Sequence, residues 1–167
     1  MQPNPCQIPE LNISCFGCCG RDLKAKQEIE NYIDLNNEDY HQCFSAGVFL
    51  AQEFKNRHSK DLLRDSGICY NVVWSNKPRN FCPLHPKATE KMQQKGIKVQ
   101  GKPDLRDGHC NPGYKCDTLK AFENWTIKQK KAYINFIRKK LDNNELDWYS
   151  YSIKTDNNEL LEEFRNI

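Results

Sequence analysis

Three thiols fall within five residues at Cys15-Phe16-Gly17-Cys18-Cys19, and Gly20 follows. Two cysteines separated by two residues can turn back onto one ion, because the intervening turn brings both sulfurs to the same side. Gly17 and Gly20 suit such a turn, since glycine reaches positive φ at little steric cost. The segment therefore predicts half of a metal centre. Cys69, Cys82, Cys110 and Cys116 are the residues that would supply the other half.

The chain holds nine cysteines, an odd number, so complete internal pairing as disulfides is impossible. Residues 1–10 have neither the basic n-region nor the apolar h-region of a signal peptide. The longest apolar run, about Val48 to Ala51, is far too short to span a membrane. A cytoplasmic location is expected, and there clustered thiols more often bind metal or do redox chemistry than form disulfides. The sequons at Asn12 and Asn124 are then chance matches. Aromatic residues make up 11% of the chain, which excludes a disordered tail. The net charge of +3 does not by itself indicate a nucleic-acid or membrane partner. At 167 residues one domain is expected over 1–167, with a metal-binding part at 12–116 and C-terminal helices at 117–167.

Along the chain, residues 1–14 read as an extended lead-in. Helical spacing of Ala25, Ile29, Tyr32 and Ile33 predicts a helix from Asp22 to Leu35, ended by Asn36-Asn37. Phe44, Val48, Ala51 and Phe54 predict a second helix from about Glu38 to Arg57, weakened by Gly47. Cys43 would sit on it as a core thiol. A short helical turn is expected at Asp61 to Arg64. Tyr70 to Trp74 and Arg79 to Cys82 read as the strands of a hairpin with its turn at Ser75 to Pro78. That hairpin would bring Cys69 near Cys82 and His85. A short helix is expected near Ala88 to Gln94, then an irregular segment from Pro103 to Tyr114 holding His109 and Cys110.

The C-terminal third predicts helices. Asp117 caps one from Thr118 to Trp125, and Thr126 with Gln129 forms a capping-box pattern for the next, to about Leu141. Asp-Asn-Asn-Glu-Leu occurs at 142–146 and 156–160, and reads as two helix starts. Leu160, Leu161, Phe164 and Ile167 form one stripe on the last helix. Residues 118–140 hold seven Lys/Arg against one Glu, whereas 141–167 hold seven Asp/Glu against two Lys/Arg. Opposed solvated faces on packed helices account for this, and a basic surface for an acidic partner is the alternative.

Thiolates suit zinc and iron–sulfur clusters alike. The spacing matches neither a compact zinc finger nor the bacterial ferredoxin run. Cys18 and Cys19 are neighbours whose side chains point different ways, so they serve two metals or one is a spare thiol. The predicted ligand set is Cys15, Cys18, Cys19, Cys69, Cys82, His85, Cys110 and Cys116. It suffices for one four-thiolate site and a second completed by His85 or His109. His41 and His58 are expected at the surface, and Cys6 as an exposed thiol.

The order Cys15-Phe-Gly-Cys18-Cys19, Gly67-Ile-Cys69, Cys82 and Arg106-Asp-Gly-His-Cys110 resembles the YkgJ-type cysteine-cluster family of zinc- or iron-chelating proteins. The resemblance covers residues 12 to 110. Asn12 stands where the family usually has another cysteine, Pro83-Leu84 replaces its Ile-Tyr, and Asp107 replaces the proline after Arg106. These departures leave room for His85 as a substitute ligand. The resemblance implies metal binding, and through relatives similar to parts of iron–sulfur methylating enzymes it keeps an enzymatic role open.

The expected fold is mainly α with a small β-hairpin, its cysteine-rich irregular metal-binding core packed against helices. The expected function is metal binding, with zinc or alternatively a 4Fe–4S cluster held in a structural or redox role. An iron–sulfur enzyme of redox or group-transfer type is the second reading, and an interaction module using helices 118–140 the third. A metal ion is the expected partner. No membrane is expected, nucleic acid is disfavoured, and no protein partner is identified.

Overall fold

The computed structural model describes residues 2–58, 63–101, 104–106 and 110–167. Among them the fold is mixed α/β with several small sheets. This corrects the expected mainly α fold with a single hairpin. The strands are two residues each, too short for apolar alternation to announce them.

The chain divides into two compact units. The first comprises Met1–Cys18, Asn76–Asn80 and Lys115–Ile167. Its antiparallel strands β1 (Gln7–Ile8) and β2 (Ile13–Ser14) are joined through a short 3-10 turn at Pro9–Leu11. Four helices follow: α4 (Asp117–Asn124), α5 (Ile127–Asp142), α6 (Trp148–Asp156) and α7 (Glu159–Arg165), numbered after the three helices of the second unit. The predicted capping box of α5 is present, with Thr126 and Gln129 each bonded to the other's backbone N–H. Ile8, Ile13, Phe122, Tyr133, Ile137, Tyr151 and Leu160 form the core.

The repeated peptide does more than start helices. Its third residue, Asn144 or Asn158, takes a positive φ of 58° or 68°, which asparagine tolerates better than most residues. The leucine that ends each copy, Leu146 or Leu160, is buried. Each copy therefore turns the chain and anchors it. The uneven charge resolves locally: Lys140 on α5 lies 3.0 Å from Glu145 and 2.6 Å from Glu163 on α7.

The second unit comprises Cys19–Ser75 and Phe81–Tyr114. Its helix α1 (Lys26–Gln42) runs straight through Asn36-Asn37, where the sequence predicts a stop. Asn36 is fully buried and makes tertiary bonds instead. Its amide donates to the carbonyls of Cys69 at 3.0 Å and Val72 at 2.9 Å, and its oxygen accepts from Arg64 Nε at 3.0 Å.

The predicted helix from 38 to 57 is broken. Strands β3 (Phe44–Ser45) and β4 (Val48–Phe49) pair antiparallel around Ala46-Gly47, both with positive φ. That turn geometry matches the twist of a two-residue hairpin. Phe44 and Phe49 stack at 5.1 Å across it. Only α2 (Ala51–Asn56) remains of the predicted helix C-terminal to this hairpin. Strand β7 (Lys98–Val99) adds to β4 in parallel. The predicted hairpin is present as β5 (Val73–Trp74) and β6 (Asn80–Phe81). Helix α3 (Pro86–Gln94) matches the expected one. Residues 61 and 62 of the turn expected at 61–64 lie outside the described residues.

Candidate thiol site

The two units each gather thiols. In the first, Cys15 follows β2 and Cys6 precedes β1. The Cys15 N–H donates to the Cys6 carbonyl at 3.0 Å, continuing the β1–β2 register by one step. The Cys15 sulfur accepts the Gly17 N–H at 3.4 Å, and its S–H faces the Ser152 carbonyl at 3.7 Å. Phe16 is fully buried against Trp148, with ring centroids 5.6 Å apart, and its N–H donates to the Ser152 hydroxyl at 3.1 Å. Gly17 lies so close to α6 that a Cβ there would run into the Asp156 side chain and come within 2.8 Å of the Ser152 carbonyl. Helix α6 thus fixes the turn, and the turn presents Cys18 to solvent.

Cys15 senses the charges of Cys18, Cys6 and Cys116, and Cys116 senses that of Cys18, so these thiols are electrostatic neighbours. Cys116 is the residue that opens α4. Burial pushes the Cys15 thiol well above its ordinary value; the Gly17 N–H opposes this in part. Burial likewise raises Cys116, and raises the carboxyl of Asp156, whose charge adds to the rise at Cys116. One exposed thiol is therefore set against two that are held protonated.

In the second unit, Cys69, Cys82 and Cys110 are neighbours, with Arg106 beside them. Cys110 is exposed. Burial pushes Cys82 up to about 12, reinforced by the charge of Cys69 and eased by the Leu84 N–H. Arg106 makes a two-pronged contact with Asp104, at 3.1 Å and 2.9 Å. The Cys69 sulfur accepts the Asn71 N–H at 3.4 Å. Cys19 lies opposite Cys69, whose N–H donates to the Cys19 carbonyl at 2.7 Å. Cys43 follows α1 as its cap and packs on the core of Phe49, Phe54 and Leu84.

Among the described residues no group of three or more His, Cys, Asp or Glu side chains is placed to hold a metal ion. This overturns the expected metal-binding function, the zinc or 4Fe–4S cofactor, the metal-ion partner and the resemblance to the YkgJ-type family. Of the predicted ligands, Cys15, Cys18 and Cys116 belong to one unit, and Cys19, Cys69, Cys82, His85 and Cys110 to the other. His85 also has a role in the fold. It caps α3, its Nδ1 accepting the Lys87 N–H at 3.1 Å. His109 lies outside the described residues.

The sequence predicts Cys6 as an exposed thiol, whereas it is half-buried beside Cys15, and gives Asp156 and Arg106 no part in a thiol site, since one lies in the repeated peptide and the other in the cysteine-family motif. The one signal for Cys6 was the pair of isoleucines flanking a Pro-containing turn, Ile8 and Ile13. Among the described residues no helix is long and apolar enough to cross a membrane. Comparison with protein-family models, curated proteins and solved structures finds no match for this chain.

Proposed function

We propose that the protein is a thiol–disulfide exchange protein of the cytoplasm, acting through Cys18 and Cys15. The observation that carries this is an exposed thiol three residues from a half-buried one, in a turn clamped by α6. Exchange needs an accessible attacking sulfur and a second sulfur that resolves the mixed disulfide. In a reducing compartment both begin as thiols.

The Cys18 thiolate attacks a small-molecule disulfide such as oxidised glutathione. The Cys18–glutathione bond forms and one glutathione thiolate leaves. Cys15, having lost its proton, then attacks the Cys18 sulfur and releases the second glutathione. Two protein thiols are oxidised and one disulfide is reduced to two thiols. Because burial keeps Cys15 protonated at neutral pH, the second step is the slow one. The mixed disulfide accumulates, and ring closure speeds up about tenfold per unit of rising pH while the thiolate remains the minor form.

The test is oxidation with glutathione disulfide, quenched in acid and followed by intact mass and non-reducing peptide mapping. A glutathione adduct on Cys18 that converts to a Cys15–Cys18 disulfide, faster at higher pH, is expected. In Cys15→Ser the adduct should persist. An adduct that never resolves in the unaltered protein, or resolution unaffected by Cys15→Ser, would overturn the proposal.

A further inference from the structure

The second unit carries an independent thiol pair that uses neither Cys15 nor Cys18. Gly20 and Ile68 form an antiparallel bridge. On one side of it the Arg21 N–H donates to the Gly67 carbonyl at 3.0 Å, and on the other the Cys69 N–H donates to the Cys19 carbonyl at 2.7 Å. The register is therefore Arg21 opposite Gly67, Gly20 opposite Ile68, and Cys19 opposite Cys69. Directly opposed residues in an antiparallel pair project from the same face. Cys19 and Cys69 share one backbone bond, and opposed Cα atoms in antiparallel pairing lie about 4.5–5.5 Å apart. A disulfide bridges Cα atoms separated by roughly 4.4–6.8 Å.

The backbone here is held on both sides. Gly67 has φ +88°, and a Cβ on it would run into the Arg21 carbonyl. A Cβ on Gly20 would run into the Gly67 carbonyl. Only glycines allow the two segments to approach so closely. The buried Asn36 amide ties the Cys69 carbonyl to α1 at 3.0 Å, and the Asn71 N–H holds the Cys69 sulfur at 3.4 Å. Both thiols remain partly accessible. A reagent can reach them, and little backbone movement is needed to join them.

We infer that Cys19 and Cys69 form a reversible cross-strand disulfide on exposure to small-molecule disulfides, a second oxidation site that locks residues 19–21 to 67–69. In the reaction one of the two thiolates takes up a glutathione from the oxidant, releasing the other as thiolate. The second protein thiol loses its proton and displaces the bound glutathione. The product is one protein disulfide and two glutathione thiols, and a dithiol reductant reverses it.

Register separates this pair from its rival. Cys82 is also a neighbour of Cys69, but no backbone pairing sets it opposite Cys69 among the described residues, and burial, which holds its thiol at about 12, makes it a slow partner at neutral pH as it does Cys15. The experiment uses the full chain carrying Cys15→Ser and Cys18→Ser, oxidised with glutathione disulfide, alkylated and mapped without reduction. A peptide pair joining Cys19 to Cys69, lost on addition of dithiothreitol, is expected in the double variant and in the unaltered chain. The same map shows separately whether a Cys15–Cys18 disulfide forms in the unaltered chain, so the two proposals fail independently. Circular dichroism of the double variant confirms that it is folded, and the unaltered chain gives the Cys19–Cys69 readout without any substitution. A Cys69–Cys82 link in place of Cys19–Cys69, or Cys19 and Cys69 both recovered as alkylated thiols, would overturn the inference.

Discussion

The two units solve one packing problem in different ways. Each must bring a cysteine-bearing turn against a regular element without burying unpaired backbone groups. In the first unit the turn at Phe16–Gly17 docks on a helix, and Ser152 of α6 answers it with a hydroxyl and a carbonyl. In the second the turn at Gly20–Asp22 docks on another extended segment, and the carbonyls of Arg21 and Gly67 lie where a Cβ would need to be. The helix offers side chains that can shift. The paired segments offer only backbone. The second unit should therefore tolerate less change around its thiols than the first.

Alanine at the two contact glycines tests this with the largest expected effect. Gly67→Ala meets the Arg21 carbonyl and also carries φ +88°. Steric overpacking costs about 1–3 kcal/mol and the left-handed backbone about 1–2 kcal/mol more. Gly17→Ala has no such φ penalty, and the Asp156 side chain can move away, although the Ser152 carbonyl at 2.8 Å cannot. Urea unfolding should show a loss near 4 kcal/mol for Gly67→Ala, about twice that of Gly17→Ala. Equal losses would mean that the paired segments yield as readily as the helix contact.

A smaller effect comes from the polar residues behind each turn. Asn36→Leu leaves the carbonyls of Cys69 and Val72 without their side-chain donor and removes the acceptor of Arg64 Nε, while Arg64 keeps its contact with Asp39. A loss of about 2–3 kcal/mol is expected. Ser152→Ala removes the acceptor for the Phe16 N–H at 3.1 Å, for about 1–2 kcal/mol. The two changes should also differ in which thiols they release. Maleimide labelling should quicken at Cys69 in Asn36→Leu and at Cys15 in Ser152→Ala, with no exchange of roles.

Asn36 also shows where the sequence stops being legible. Paired asparagines end helices in isolation, because their side chains compete for the backbone. Here the competition is won by carbonyls more than thirty residues away, which no local pattern encodes. The segment 44–54 failed for the opposite reason. Its apolar spacing fits a helix and a hairpin with a following short helix equally well, and the deciding residues were Ala46-Gly47 at positive φ. By contrast, Thr126 and Gln129 act within one turn, so their capping box was legible without tertiary information. The thiol sites fall between these cases. Cys15 and Cys18 are close in sequence and announce a turn, whereas Cys19 meets Cys69 only through a register that the Gly20–Ile68 bridge and its two flanking hydrogen bonds define. Cysteine density alone does not reveal how thiols are partitioned, and that density led to a metal centre the described residues do not form.

The smallest predicted effect gives the two units opposite signs on acidification. In the second unit His85 is held down, to about 4, by burial first and then by Arg106 and Lys87, with Asp104 opposing. An unfolded histidine titrates near 6.5. Between those values the unfolded chain binds more protons than the folded one, so stability falls as pH is lowered from about 6.5 toward 4. Protonation also turns Nδ1 from an acceptor into a donor, and the helix cap of α3 is lost. In the first unit Asp156 is shifted the other way: burial raises its carboxyl above 3.8, so the folded state binds the proton first and gains stability as pH falls through that range. His85→Asn keeps a capping acceptor and removes the titration. At pH 7 it should match the unaltered protein to within about 0.5 kcal/mol. Solvent screening of a half-exposed ring limits the acid-induced loss it abolishes to about 1 kcal/mol. Hydrogen exchange, corrected for intrinsic rates, should show the amides of residues 87–94 losing protection between pH 6.5 and 4 in the unaltered chain and keeping it in His85→Asn. Over the same interval α6 should keep its protection in both proteins; loss there in step with α3 would mean that one titration governs both units.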